Sequence, residues 1–194
     1  MSDLYGAGLS RRAGRKCMAR IMTKRKRIIL VLFIIFTSIG CDQITKEIAQ
    51  SHLPRMKVLS FAGDTLRLDY TENRGAVLSF EYCLPEGWRG STLTVAVTMF
   101  LGLLIFFLLF TAFLPPPSVI ALSLLCGGGL SNLLDRIAFG GYVVDFLSLG
   151  WGGFRSAIFN VADAVITMGA ALFFISILWS LCSSLPHRPI LRPR

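Results

Sequence analysis

Four stretches of this chain carry an unbroken or nearly unbroken apolar pattern, and everything polar is arranged around them. The first runs from Ile28 to Cys41 and continues with helical spacing through Asp42 to Ile48; the others cover Leu93–Leu114, Ser118–Ala138 and Phe159–Leu181. Each is close to the about 20 residues that a helix needs to cross the hydrocarbon core of a bilayer. The pattern therefore predicts four membrane-spanning helices at about 28–48, 93–114, 118–138 and 159–181. Pro115, Pro116 and Pro117 end the second span and start a tight return. Gly127, Gly128 and Gly129 lie inside the third, where small residues let helices approach closely.

Between the first two spans, Pro54–Gly90 is mixed and polar. Leu66, Leu68 and Tyr70 alternate there with Thr65, Arg67 and Asp69, the period of a half-buried strand. Asn73-Arg74-Gly75 is turn chemistry, and Val77–Tyr82 can return as a second strand, so this loop reads as a small sheet lying on the membrane. Phe146, Leu149, Trp151 and Phe154, loosened by Gly150, Gly152 and Gly153, read as an interfacial segment.

Composition agrees with this picture and narrows it. With 54% hydrophobic and 16% charged residues over 194 positions and a mean hydropathy of +0.64, the chain is not an ordinary soluble domain. The net charge of +9 does not indicate a nucleic-acid partner, because nine of the twenty Lys and Arg fall between Arg11 and Arg27, directly before the first span. There they act as a topology signal and contact anionic headgroups. Residues 1–27 are thus a basic cytosolic extension, disordered over 1–20, residues 28–182 the four-span unit, and 183–194 a basic cytosolic tail. Cys17, Cys41, Cys83, Cys126 and Cys182 have no metal-ligand spacing and read as small apolar fillers. Ser38-Ile39-Gly40-Cys41 after a basic run resembles a lipoprotein signal, but the helical pattern continues past Cys41 and three more spans follow. The expected class is an all-α integral membrane protein with a small outer β element.

A basic N-terminus held in the cytosol and four spans put both termini on the cytosolic side. Chain direction then brings Asn132, Asp135 and Arg136 to the outer end of the third span, Asp145 just beyond it, and Asn160 and Asp163 into the first outer turn of the fourth. Asp42, Lys46 and Asn73 share that side, with Asp42 and Lys46 at i and i+4 on one helix face. Polar groups distant in sequence therefore converge on one leaflet. Beyond Leu114 the only carboxylates are Asp135, Asp145 and Asp163. An acid inside or beside an apolar span costs several kcal/mol, about 2.5 to 3.5 at a helix centre on translocon scales, so each needs a partner, a wet cavity or a chemical task.

Metal hydrolysis and a Ser-His-Asp arrangement both lack their residues, since His52 and His187 belong to opposite sides of the membrane. What remains is a carboxylate pair sharing one proton, in which one acid takes a proton from water and the other protonates the carbonyl of an amide. Asp135, adjacent to Arg136, reads as a charge-paired scaffold, which leaves Asp145 and Asp163. The rival use of such acids is the relay of a small proton-coupled carrier, although relays place their acids near the midplane and these cluster at one edge.

Five motifs now fall in register among the four spans: D-Q-x-T-K (Asp42 to Lys46), N-x-G-A (Asn73 to Ala76), S-N-L-L-D-R (Ser131 to Arg136), V-V-D-F (Val143 to Phe146) and F-N-x-A-D (Phe159 to Asp163). Together they resemble lipoprotein signal peptidase, the signal peptidase II family, over about residues 28–182. The resemblance implies that Asp145 and Asp163 are the catalytic pair of an intramembrane aspartyl endopeptidase needing no metal or other cofactor. It implies that Asp42, Lys46, Asn73, Gly75, Asn132, Asp135, Arg136, Asn160 and Ala162 line or order the site. The substrate it implies is a diacylglyceryl-modified prolipoprotein, cut before the lipidated cysteine by a monomer in the bacterial cytoplasmic membrane, with globomycin as inhibitor. It also implies a cradle made of the first-loop sheet and an outer interfacial helix. Ser131 and Ala164 depart from the residues most common in that family, Gly and Ser.

Overall fold

Helix α1 spans Lys24–His52, and its inward side is a single stripe of Arg27, Val31, Ile35, Ser38, Asp42, Lys46 and Ala49, spaced three or four residues apart. The opposite face exposes Ile29, Phe33, Phe36, Ile44 and Ile48. In water such a helix would be turned round; in lipid the apolar face is the solvated one, and the polar groups of its second half are sheltered by protein. The computed structural model describes residues 22–53, 57–74, 89–111 and 114–184. The expected return strand over Val77–Tyr82, Gly75, and residues 1–21 and 185–194 of the two expected tails lie outside the described residues.

Strands β1 (Leu59–Phe61) and β2 (Leu66–Asn73) follow, then helix α2 (Arg89–Phe110), helix α3 (Pro116–Ala138), strands β3 (Val143–Trp151) and β4 (Phe154–Arg155), and helix α4 (Val161–Ser184). Pro116 and Pro117 start α3, where a missing N–H costs nothing. Among the described residues, three helices are long and apolar enough to cross a membrane: Lys24–His52, Pro116–Ala138 and Val161–Ser183. The expected span over 93–114 corresponds to α2, whose apolar part, Thr94–Phe110, is shorter.

Helix α3 is the centre of the bundle, and its three glycines explain how. Successive helical residues point about 100° apart, so consecutive small residues open three different faces. A Cβ on Gly127 would lie 2.7 Å from Ser38 Cβ of α1, one on Gly128 2.6 Å from the Ala162 carbonyl oxygen of α4, and one on Gly129 2.7 Å from Leu101 Cδ2 of α2. The contacts Ser38–Gly127, Asp42–Ser131 and Lys46–Asp135 advance together along α1 and α3, so these helices run parallel. Helix α4 runs back against α3, with Ala162 beside Gly128 and Ser176 bonded to Ser118. The far ends of α1 and α3 therefore meet the beginning of α4. At the other end, buried Arg27 donates to the Thr111 carbonyl and, at 2.6 Å, to the Leu109 carbonyl, so a residue read only as a topology charge also satisfies carbonyls at the end of α2. Val31, Ile35, Leu108, Val119, Leu122 and Cys126 form the apolar core between these ends.

The strands form one antiparallel sheet in the order β1-β2-β3-β4. Residues paired across strands share a face, so the register sorts the side chains. Leu59, Leu68 and Leu147 stand in one row, Phe61, Leu66 and Leu149 in the next, and Trp151 beside Phe154 in a third. Ser60, Arg67 and Ser148 occupy the opposite face. The segment from Phe146 to Phe154, expected as interfacial, forms most of a strand and a hairpin: β3 opens on the β-branched Val143 and Val144 and pairs with β2 as far as Leu149, and Gly152 at φ +60 makes the turn to β4. Its apolar outer residues remain exposed, Trp151 at 88% and Phe154 at 86%.

Candidate active site

The first turn of α4 is the anchor. Asn160 precedes the helix and its side-chain oxygen accepts the Asp163 N–H at 2.9 Å, while Asp163 Oδ2 accepts the Asn160 N–H at 3.2 Å. This reciprocal arrangement is a capping box, with Asp163 at the third helical position. Asp42 of α1 completes the cap: its Oδ1 accepts the Ala162 N–H at 2.7 Å, placing an anion at the positive end of α4. The segment F-N-x-A-D thus folds as it does because a capping residue, a small residue and an acid stand at the positions a helix start requires.

Asp42 is fixed from two further sides. Lys46 Nζ lies 2.6 Å from its Oδ2, and Ser131 Oγ donates to the same oxygen at 2.8 Å. Lys46 also reaches Asp135 Oδ2 at 2.8 Å and Asn132 Oδ1 at 2.9 Å, so all three ammonium protons have acceptors. With Lys46 2% and Asp42 0% exposed, this is a buried network and not a solvated pair at a helix end. Asp135 also accepts from Gln43 Nε2 at 2.8 Å and from the Val144 N–H at 3.2 Å, which ties β3 to the end of α3. The expected partner of Asp135, Arg136, is corrected by this geometry. Neighbouring residues on a helix point about 100° apart, so Asp135 turns inward to Lys46 while Arg136 Nη1 approaches the Asn132 carbonyl at 3.5 Å.

Asp145 arrives from β3. Its Oδ1 accepts Asn160 Nδ2 at 2.7 Å and its Oδ2 accepts Asn73 Nδ2 at 2.9 Å. Asn73 gains that position through an irregularity in register: Leu68 pairs with Leu147 but Thr71 with Asp145, so β2 holds one extra residue. Without it Glu72, not Asn73, would share a face with Asp145. Asp145 is 1% exposed, and burial pushes its carboxyl up to about 6, with the negative charge of Asp163 adding to the effect and Asn73, Asn160 and Lys46 opposing it. Asp163 Oδ1 accepts Asn132 Nδ2 at 2.8 Å. Asn132 and Asn160 are joined to each other at 3.1 Å. Asn160 therefore bonds to both carboxylates, while Asn73 and Asn132 bond to one each.

Asp42, Lys46, Asn73, Asn132, Asp135, Asp145, Asn160, Ala162 and Asp163 are thus gathered in one connected network, with Arg136 at its edge; Gly75 lies outside the described residues. Gln43, Ser131 and Val144 belong to it as well, and their signal in the sequence was only their position inside the matched motifs. Among the described residues no group of three or more His, Cys, Asp or Glu is placed to hold a metal, and His52 bonds within the end of α1. Two carboxylates, one pushed toward its protonated form, held by neutral amides in a sheltered place, can exchange protons with a water and an amide carbonyl between them.

The family described as signal peptidase (SPase) II matches residues 34–179. A lipoprotein signal peptidase of Chlorobium phaeobacteroides is 34% identical over 143 residues, covering 69% of this chain and 86% of that protein. One of Syntrophus aciditrophicus is 31% identical over 151 residues, covering 77% and 93%. A solved bacterial membrane enzyme shares the fold with a TM-score of 0.68 over 88% of this chain and 98% of its own, at 24% identity.

Proposed function

The chain belongs to the signal peptidase II family of proteases, and from that premise we propose that it is an intramembrane aspartyl endopeptidase that removes signal peptides from diacylglyceryl-modified prolipoproteins, cutting before the lipidated cysteine. Asp145 and Asp163 are the catalytic pair. The observation that carries this reading is Asn160, whose side chain donates to Asp145 and whose backbone N–H donates to Asp163, so that one residue sets the two acids against each other. In the reaction one aspartate takes a proton from water as the water oxygen bonds to the scissile carbon, and the other gives its proton to the carbonyl oxygen. The resulting diol collapses as the C–N bond breaks, the first aspartate protonating the leaving nitrogen and the second recovering a proton from a diol hydroxyl. Asp42, Lys46, Asn73, Asn132, Asp135, Asn160 and Ala162 order this pair, and Arg136 lies beside them.

The chain crosses the membrane four times, counting α2, with both termini cytosolic and the aspartates at the outer leaflet. The basic residues before Ile28 support that orientation, and the parallel course of α1 and α3 against α4 fits it. A substrate tethered by acyl chains then presents its scissile bond at the depth of the site. The apolar sheet face, from Leu59 to Phe154, suits a position against lipid. Purified protein in lipid or detergent should release the signal peptide from a diacylglyceryl prolipoprotein without added metal, and should leave the unlipidated precursor intact. No cleavage by folded protein would overturn the assignment of substrate. A cysteine introduced near Leu185 that labels from the outer face would overturn the topology.

A further inference from the structure

We propose that Gln43 and Ser131 are positioning residues of the reaction: with Lys46 they brace Asp42 and Asp135 into a rigid second acid pair, each member of which grips the backbone N–H just before one catalytic aspartate, so that the brace sets the separation of Asp145 and Asp163. This rests on the reading of Asp145 and Asp163 as the catalytic pair, and it assigns a role to two side chains that act on that pair from a distance.

The two grips are alike. Asp42 Oδ1 accepts the N–H of Ala162 at 2.7 Å, and Asp135 Oδ2 accepts the N–H of Val144 at 3.2 Å. Ala162 precedes Asp163 in the first turn of α4, and Val144 precedes Asp145 in β3. A peptide unit is planar and the next Cα follows at about 3.8 Å, so a fixed N–H leaves the following aspartate little freedom to move. Val144 is held by its carbonyl as well, which accepts Asn160 Nδ2 at 3.3 Å. The catalytic residues thus stand on two different elements, and an acid from α1 holds one element while an acid from α3 holds the other.

Two anions so placed repel each other, and two links hold them. Lys46 Nζ lies 2.6 Å from Asp42 Oδ2 and 2.8 Å from Asp135 Oδ2, but an ammonium is a compact charge with little directional demand. The second link is neutral and directional. Gln43 Nε2 donates to Asp135 Oδ1 at 2.8 Å and to Ser131 Oγ at 3.0 Å, and Ser131 Oγ donates onward to Asp42 Oδ2 at 2.8 Å. Ion-paired carboxylates only accept, so both amide protons of Gln43 and the one hydroxyl proton of Ser131 are committed in a single sense. Asp42, Lys46, Ser131 and Asp135 are each 2% exposed or less, so the brace acts from within the protein and touches no substrate. What it controls is how strongly the catalytic acids feel each other: the charge of Asp163 contributes to the upward push on Asp145, and that influence falls with distance.

Single-turnover cleavage of a diacylglyceryl prolipoprotein by the full-length protein, at matched folded concentration, separates positioning from stability. Gln43→Met and Ser131→Ala should each lower the rate at saturating substrate by about threefold to tenfold, a part of the roughly hundredfold that a displacement of about 1 Å costs, with half-saturation unchanged. As the acids relax apart their coupling weakens, so the two limbs of the pH profile should draw together. The double variant should be hardly slower than either single one, because both changes cut the same link. Amide proton resonances read the grips without any cleavage: Gln43→Met should shift that of Val144, and Ser131→Ala that of Ala162. Unmoved amides in the folded variants overturn the brace whether or not the protein cleaves. Parent rates with parent limb spacing overturn it too, as does a raised half-saturation at an unchanged rate. Asp145→Asn and Asp163→Asn in the same assay keep the two ideas apart: if both are inactive while Gln43→Met and Ser131→Ala match the parent, the pair stands and only the brace fails. If either Asp→Asn variant cleaves like the parent, the catalytic reading fails instead, and the brace with it.

Discussion

Gly128 of α3 meets the backbone of Ala162 in α4 so closely that a methyl group on Gly128 would lie 2.6 Å from the Ala162 carbonyl oxygen and 2.7 Å from Ile166 Cγ1. The Ala162 N–H in turn holds Asp42 at 2.7 Å, so any shift of this backbone is passed to the buried network. Gly128→Ala should therefore destabilise the fold by about 1 to 3 kcal/mol, the ordinary cost of overpacking, and lower cleavage with it. Gly129→Ala meets only the end of a leucine side chain, Leu101 Cδ2, and should stay within about 1 kcal/mol of the parent. Thermal unfolding of the two variants in one detergent checks the order, and an equal loss from both would show that α3 and α4 are not held at this point.

Much of this arrangement is visible in the residue pattern. Carboxylates such as Asp145 and Asp163 stand out in so apolar a chain because burial makes them expensive, and helix direction alone brings their neighbours to one end. Asn160 three residues before Asp163 is also a readable helix start. What the pattern hides is long-range choice. Asp135 has Arg136 beside it in sequence, yet its cation is Lys46, because a helix turns adjacent residues to different sides. Leu147 and Phe154 sit in a run whose glycines and aromatics suit a loose interfacial stretch; the strand they form depends on pairing with β2 and within the hairpin. The register irregularity that brings Asn73 to Asp145 has no local signature at all.

The cation at the centre of the network should be far less replaceable than either of its anions. Lys46→Met leaves Asp42 and Asp135 buried together without their countercharge, and removing one partner of a buried ion pair costs about 3 to 5 kcal/mol. Asp135→Asn leaves Lys46 paired with Asp42 and keeps an acceptor for Gln43, so its cost should be smaller by about half, an order-of-magnitude expectation from partial loss of a buried network. Its defect should appear as lower abundance of folded protein with near-parent cleavage per folded molecule. Denaturation midpoints together with cleavage at matched folded concentration distinguish these outcomes, and a folding-neutral Lys46→Met would show that the network is not a stability element.

Asp145 should make the enzyme less stable at neutral pH than in mild acid. Its carboxyl is raised from 3.8 to about 6, so between those values the folded state binds more protons than the unfolded state, and stability falls as pH rises through this range. Above about 6 the full penalty is present, on the order of 3 kcal/mol for a shift of this size. Asp145→Asn keeps the shape and removes the charge, so it should raise the melting temperature at pH 8 and change it little at pH 4. Melting curves at the two pH values measure the difference, which should be largest on the alkaline side; the reverse order would mean that Asp145 gains more from its amide donors than it loses by burial.

The sharpest test of the pair is its non-additivity. In the proposed mechanism each of Asp145 and Asp163 is one half of a single proton exchange, and neither Asn variant retains an exchanger that both halves of the reaction require. Asp145→Asn and Asp163→Asn should each lower single-turnover cleavage by about a thousandfold or more, within the range that acid–base groups contribute when they act together. The double variant should be hardly slower than either single one, because the second change removes a group that has already lost its partner. The parent profile of cleavage against pH should be bell-shaped, and its two limbs belong to the pair jointly and not to one residue each. Losses that multiply in the double variant would instead mean two independent contributions, as for two acids that bind substrate separately. Near-parent cleavage by either single variant, at matched folded concentration, would remove that aspartate from the chemistry and return Asp135 as the second acid to be tested.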